Sequence, residues 1–274
     1  MIDVHCHILP FLDDGPKTMD EALEMCRIAS DDGIHTIVAT PHCYQGKYPN
    51  STTSILPVYE ALRNKIRSIG IPINLHAAGE VHIDPDLVSF LEENPGLCIG
   101  GRFVLIEIHP DTVPPSIVNF LFHMRLAGFT PILTHPERNR MVQARPDILA
   151  DWISGGGLVQ ITAMSLTGHF GSRARETVFS LLERGWVHCV ASDAHSSTGR
   201  TPVLSGAVPL LDQHVGREGT EVLLEGNPRR MLDGRELSAV FPAAWPYRKT
   251  GMEMAPKKKS LLAGFLGDRL AWKA

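Results

Sequence analysis

His5 and His7 stand two residues apart at the end of the apolar run 2–5, and Asp193 and His195 repeat that spacing at the end of the run 187–193. Residues two apart on a strand point to the same side, so each pair can present two ligand atoms together. Other apolar runs end in the same way: His42 follows 36–40, Glu80 ends 73–80, Glu107 lies within 103–108, and His135 ends 131–135. The run 158–162 offers only Gln160 and Thr162. A set of imidazoles and carboxylates without thiolate suits zinc, manganese or iron and disfavours a structural zinc. Burying so many ionisable groups without a cation would be costly. Asp13 and Asp14, in LDDG after the first run, supply one further ligand, with the other acid orienting the loop.

Two arginines leave the same strand ends. Arg138 belongs to HPERNR, just past His135, and Arg200 to SDAHSSTGR, just past His195. A guanidinium is suited to bind phosphate oxygens bidentately. Arg140 is placed less well to reach the metals than Arg138. His35, His76, His123, His188 and His214 read as structural or exposed. His82 and His109 lie near the mouth of the site, and His169, in SLTGHFG, sits in a loop that can face a substrate.

Other nucleophiles fail on spacing. A cysteine phosphatase needs Arg six positions after its Cys, but Leu12, Asp32, Pro49, Val104 and His195 occupy those positions here. There is no GxSxG elbow and no GxxxxGK[ST] loop. Metal-activated water is the nucleophile that remains.

The elements that must position these groups alternate. Seven apolar runs are separated by helix-like stretches at 18–32, 53–69, 85–93, 115–127, 146–154 and 172–184, with further helical pieces at 203–215 and 219–233. Thr18-Met-Asp-Glu21 reads as a capping box. Gly33, Gly70, Gly128 and Gly185 fall where helix C-caps want glycine. Such alternation without hairpin signals predicts an α/β fold with a parallel sheet covered on both faces, in the form of a seven-stranded, TIM-like (β/α)7 barrel. In such a barrel, function collects where strands run into the following loops.

The 274 residues carry a formal charge of −4, so no nucleic-acid partner is expected. No apolar run approaches the length of a membrane span, and MIDVHCHILP lacks a secretory pattern. Five scattered cysteines without a CxxC suggest reduced thiols and a cytoplasmic location. The catalytic domain is expected over 1–240. Residues 241–274 read as a Pro-rich linker and a basic tail, and 248–274 hold seven Lys/Arg against two Asp/Glu. That tail reads first as a solvated, poorly ordered end, and its sharper reading is weak contact with an anionic membrane surface or with a partner.

MIDVHCHILPFLDDGPKT, ATPH, LIE, THPERNR and ASDAH resemble the polymerase and histidinol phosphatase (PHP) superfamily. More closely, the chain is similar to the bacterial manganese-dependent protein-tyrosine phosphatases of capsule and exopolysaccharide loci. The motifs run in order from residue 1 to about 233. The resemblance implies a distorted seven-stranded barrel and three divalent ions, Mn2+ first and Fe or Zn otherwise. It implies that one ion takes His5, His7, Glu80 and Asp193. A second would share Glu80 and take Glu107 and His135, and a third would take Asp14, His42 and His195. It assigns phosphate binding to Arg138 and Arg200, and names as partner the phosphotyrosine-bearing tail of a bacterial tyrosine autokinase. The proton for the leaving group is left open between His169, His195 and a metal-bound water. Rival readings are another phosphoesterase of the superfamily such as a histidinol phosphatase, an amidohydrolase, or an inert phosphotyrosine-binding module.

Overall fold

The computed structural model describes residues 1–44 and 46–242. The expected linker and basic tail fall almost wholly in 243–274, outside the described residues, so the expected membrane contact lies there too. Nine strands are present among the described residues: β1 Ile2–Cys6, β2 Thr36–Ala39, β3 His42–Cys43, β4 Asn74–Ala77, β5 Glu80–His82, β6 Phe103–Glu107, β7 Thr130–Thr134, β8 Leu158–Thr162 and β9 Cys189–Ala191. They form two sheets of order β1-β2-β4 and β3-β5-β6-β7-β8-β9, and every pairing within them is parallel. Cys6 bridges Ala194 in parallel sense across the gap between β1 and the end of β9.

The expected count of seven strands is therefore corrected to nine. The expected second run, 36–40, gives β2, and a further short strand, β3, follows it after Thr40-Pro41. The expected third run is broken at Ala78-Gly79 into β4 and β5. Proline has no N–H for the ladder, and the Pro41 carbonyl instead accepts from the Glu80 amide at 3.1 Å. At the break in the third run a Cβ on Gly79 would lie 2.8 Å from Cys43 Sγ and 3.0 Å from Leu97 Cδ2. Only glycine lets the chain pass there and still deliver Glu80 to the centre.

Helices cover the sheets. They are α1 Met19–Asp31, α2 Thr52–Ile69, α3 Leu87–Glu93, α4 Ile117–Leu126, α5 Arg140–Ala144, α6 Ala150–Ser154, α7 Ala163–Leu166, α8 Ser172–Glu183, α9 Val208–Glu221 and α10 Asn227–Leu232. Thr18 caps α1 by accepting from the Glu21 amide at 3.1 Å. The Glu21 carboxylate accepts from the Lys17 amide rather than that of Thr18, so the expected box is displaced by one residue. Gly33, Gly70, Gly128 and Gly185 all have positive φ, as helix C-caps require. The two helical pieces expected after the last strand meet at Gly216, whose φ of 73° and ψ of 166° break α9 internally.

The strand alternation stacks two layers. Phe103 and Leu105 of β6, Ile132 of β7, and Cys189 and Ala191 of β9 share an inner apolar cluster with Ile2, Val4 and Val38. Val104, Ile106, Leu133 and Val190 belong to the larger cluster that includes the helices. Two residues beyond the inner set come Glu107, Thr134 and Asp193, so period two lifts an apolar floor into a polar layer. On β1 the pairing register shifts between Asp3 and Cys6. Val4 packs in the inner cluster, Cys6 in the outer one, and His5 and His7 therefore turn inward.

A Gly79→Ala variant is expected to lose about 1–3 kcal/mol from overpacking. In a Cys43→Ala background the same change should cost less, since the sulfur it meets is gone. Thermal unfolding of the four proteins in this cycle measures the coupling, and an identical cost in both backgrounds would reject the close approach.

Candidate metal centre

Three of the inward imidazoles are held by a partner on the far nitrogen. His5 Nδ1 lies 2.8 Å from Gln160 Oε1, and the Gln160 amide is oriented by donating to the Ile161 carbonyl at 2.8 Å. His7 Nδ1 lies 2.7 Å from Asp13 Oδ2. His195 Nδ1 lies 3.0 Å from the Asp193 carbonyl. These contacts place the N–H on Nδ1 and leave the Nε2 lone pair for the centre. His5 Nε2 and His7 Nε2 then face each other at 3.1 Å. Two lone pairs that close require a proton or a metal ion between them.

Carboxylates complete the shell. His5 Nε2 is 3.4 Å from Glu80 Oε1 and 3.5 Å from Asp193 Oδ1. His7 Nε2 is 3.4 Å from Glu80 Oε2 and 3.5 Å from Asp193 Oδ1. Donors bound tetrahedrally at about 2.1 Å from a metal stand about 3.4 Å apart, so these edges enclose a space of the right radius. Asp14 Oδ1 is 3.5 Å from both His42 Nε2 and His195 Nε2. Glu80 Oε1 is 3.0 Å from His135 Nε2, and Glu80 Oε2 is 3.0 Å from His42 Nδ1. Although so near, His42 Nδ1 and Glu80 Oε2 have no hydrogen-bond partner. A buried carboxylate oxygen left without a hydrogen bond fits a cation as its partner.

All nine expected ligands thus converge, in four overlapping groups: His7, Asp14, His42 and His195; His5, His7 and Asp193; His5, Glu80 and His135; and His42, Glu80 and Glu107. The grouping differs from the expected division. His135 stands with His5 and Glu80, at 3.9 Å from Glu107. His42 reaches Glu107 through Nδ1 at 3.7 Å as well as Asp14 through Nε2, and His7 joins the Asp14 group. The reason is that Glu80 lies at the middle with both oxygens inward, while Thr134 Oγ1 donates to Oε1 at 2.7 Å and fixes the carboxylate.

The electrostatics point the same way. Burial opposes charge on His7, but Asp13 and Glu80 outweigh it and push the imidazole up to about 10. Burial likewise opposes charge on His5, and Glu80 and Asp193 raise it nonetheless. The carboxylates recruit a cation, and a metal ion would compete with the proton for the same nitrogens. Burial and then the Arg138 charge lower His135 to about 4, keeping it neutral and able to ligate. Burial and then the Glu80 charge push Glu107 up to about 7.

Both expected arginines converge on one oxygen. Arg138 Nη2 and Arg200 Nη2 each donate to Asp193 Oδ2 at 2.5 Å, and Arg200 Nη2 also reaches the Asp193 carbonyl at 2.9 Å. Each Nε is buried without a partner. Spare N–H groups beside a metal-ligand cluster are what an incoming oxyanion needs. Phe170 lies 4.8 Å from the Arg138 guanidinium and 5.8 Å from that of Arg200, so one ring flanks both forks.

The chain matches the model of the capsular polysaccharide synthesis CpsB/CapC family over residues 1–233. It belongs to that family. It is 34% identical over 226 residues to the tyrosine-protein phosphatase YwqE of Bacillus subtilis, covering 82% of this chain and 89% of YwqE. It is 26% identical to the tyrosine-protein phosphatase CpsB of Streptococcus pneumoniae, covering 85% of this chain and 98% of CpsB. A chain from the crystal structures of these two proteins, described as unique metal-dependent tyrosine phosphatases, superposes with a TM-score of 0.83 at 32% identity, covering 88% of this chain and 99% of that one. A probable 2-pyrone-4,6-dicarboxylic acid hydrolase from Acinetobacter baumannii shares the fold alone, at a TM-score of 0.51 and 13% identity over 85% of this chain.

The remaining histidines of this CpsB/CapC member stand apart from the ligand groups. His35 contacts Glu225, His188 accepts from the Val159 amide, and His214 stacks on Phe179. His76 and His123 belong to none of the groups. His82 and His109 line a cavity beside Glu107. His169 is exposed and meets only the edge of Phe170 among rings. Arg140 pairs with Asp111 at the surface. All five cysteines are buried free thiols, and burial pushes Cys26 up to about 12, which suits none of them to attack.

Sequence reasoning assigned no role to Gln160, named above only as a polar residue of its run, nor to Thr134 and Phe170. The first two carried a signal, an inward polar residue on an otherwise apolar strand. Asp13 turns out to be the orienting acid of the DDG pair: it holds His7, the His42 amide at 2.9 Å and the Gly15 amide at 2.9 Å. An Asp13→Ala variant should bind Mn2+ about 10–100-fold more weakly in calorimetric titration, while exposed His123→Ala binds as the parent does. Equal affinity for Asp13→Ala and the parent would remove Asp13 from this role.

Proposed function

We propose that this chain is a metal-dependent protein-tyrosine phosphatase of capsular or exopolysaccharide biosynthesis. The observation that carries it is the overlap of the ligand groups, with two arginines on the outer oxygen of one candidate ligand, Asp193. The names of the similar proteins support the same chemistry. In this reading residues 1–240 are the catalytic domain, and the two parallel sheets make one distorted barrel. His5, His7, Asp14, His42, Glu80, Glu107, His135, Asp193 and His195 hold three divalent ions, taken as Mn2+.

Bound divalent ions supply Lewis acidity toward phosphoryl oxygens and a water acidic enough to attack near neutral pH. The chain's own part is positioning. Arg138 and Arg200 take phosphate oxygens through the N–H groups that Asp193 leaves free, and neutralise charge that grows in the transition state. Phe170 keeps both guanidinium planes in place. A phenol leaves with a pKa of about 10, so proton delivery is less demanding than for an alkyl ester. His195 has its Nδ1–H on the Asp193 carbonyl and its Nε2 toward Asp14, which makes it a ligand first; His169 is the exposed alternative. The substrate is a phosphotyrosine on the tail of a bacterial tyrosine autokinase, and the location is cytoplasmic. Among the described residues no helix is long and apolar enough to cross a membrane.

The deciding experiment compares phosphotyrosine and phosphoserine peptides with added manganese and a chelator control. Phosphotyrosine hydrolysis that requires manganese is expected; equal or faster turnover of histidinol phosphate, or none of any substrate, would overturn the reading. His5→Ala and His135→Ala should lose metal and turnover together, read by metal analysis beside the assay, and parental values of both would remove them from the ligand set.

Arg138→Ala and Arg200→Ala should keep most of their metal yet lose about 100-fold or more in turnover and weaken inhibition by inorganic phosphate. Unchanged kinetics in both would show that the arginines serve Asp193 alone.

A further inference from the structure

Resting on the phosphatase reading, we propose that the cavity beside Glu107 is a docking subsite for an uncharged, preferably aromatic, side chain next to the phosphotyrosine in the substrate polypeptide.

The first argument is continuity. Glu107 belongs both to a ligand group and to the cavity lining. Cys43 and Tyr44, which also line it, directly follow His42. His82 pairs in register with Glu107 and contributes another wall. The sheet order places β3, β5 and β6 toward one end and β7 to β9 toward the other. The arginines leave β7 and β9, so they and the cavity flank the ligand groups from opposite ends of this sheet order.

Size is the second argument. The volume is about 580 Å3, within the range that encloses a drug-sized ligand. That exceeds the needs of a single phenol ring and fits a ring together with a neighbouring side chain.

The third is chemistry. Tyr44, Leu87, Phe90 and Ile108 supply apolar and aromatic surface, and the Tyr44 and His82 rings stand 5.4 Å apart. Aromatic side chains pack favourably against such walls. Asp84, Asp86 and Glu107 lie in the lining, which contains no Lys or Arg among the described residues. A glutamate or a second phosphotyrosine entering here would approach the exposed Asp84 and Asp86 carboxylates, while the cation beside this wall, Lys47 on Tyr44, lies outside the lining. An unmodified tyrosine brings no charge to them. Where phosphotyrosines are adjacent, removal of one phosphate should therefore ease removal of the next.

The test uses the full chain with bound manganese and peptides of one length around a central phosphotyrosine. The neighbouring residue is Tyr, Phe, Ala, Glu or phosphotyrosine, on either side, and p-nitrophenyl phosphate serves as the substrate without a neighbour. On one side, kcat/KM with Tyr or Phe should exceed that with Ala by about tenfold, and Glu or phosphotyrosine should fall below Ala. Asp86 is exposed and its side chain caps nothing, so Asp86→Lys tests the charge: the ratio of Phe to Glu peptides should narrow. Activity on p-nitrophenyl phosphate with all peptides equal within twofold would overturn the subsite and leave the phosphatase reading standing. So would a preference for Glu or phosphotyrosine. Absence of turnover on every substrate would overturn both.

Discussion

The structure depends on one electrostatic constraint: lone pairs and carboxylates from strands far apart in the chain are brought within bonding distance of common points. His5 Nε2 and His7 Nε2 stand 3.1 Å apart with Glu80 and Asp193 against both, all essentially without solvent exposure. No neutral arrangement of protein atoms satisfies that assembly. Protons can do so in part, which is why burial fails to keep His5 and His7 neutral. Divalent cations do it better, because they add charge without adding volume. The surroundings serve this requirement. The apolar floor of Phe103, Leu105 and Ile132 excludes water from below, and Asp13, Gln160 and Thr134 hold the ligands in orientation.

Backbone strain gathers at the same place. His135 and Asp193 have φ of 34° and 51°, and both close a strand at the centre. Left-handed backbone is uncommon for residues with a Cβ, and it persists only where the surrounding structure over-determines it. At Asp193 the over-determination is visible: its amide donates to the His5 carbonyl at 2.8 Å, its Oδ1 faces two imidazoles, and its Oδ2 takes two guanidinium groups. This residue touches both the candidate ligand imidazoles and the two arginines. Phe170 lies against both arginines from the loop after α7.

Several parts of this arrangement were legible from residue types. Helix ends at Gly33, Gly70, Gly128 and Gly185 follow from local backbone chemistry, and the paired spacing of His5 with His7 follows from strand alternation. Other parts were not. The run 73–80 reads as one element because no proline interrupts it, yet close packing of Gly79 against Cys43 and Leu97 breaks it. The parity of β1 looks regular, yet a register shift before Cys6 turns His5 and His7 inward. Sequence spacing carries no information about which oxygen of Glu80 faces which ring, and the structure places Oε1 on His135 and Oε2 on His42.

The chain alone determined the inventory: which side chains can ligate, at which strand ends they lie, and which nucleophiles are missing. Those facts reside in residue identity and in short-range periodicity, which need no knowledge of neighbours. Tertiary structure decided the pairings, that is, Gln160 behind His5, Asp13 behind His7, both arginines on one oxygen of Asp193, and a cavity opening past Glu107. Each of these joins groups contributed by different loops and strands, at distances of a few ångströms. Only the folded packing of sheets and helices fixes such separations, because local chain geometry leaves them free.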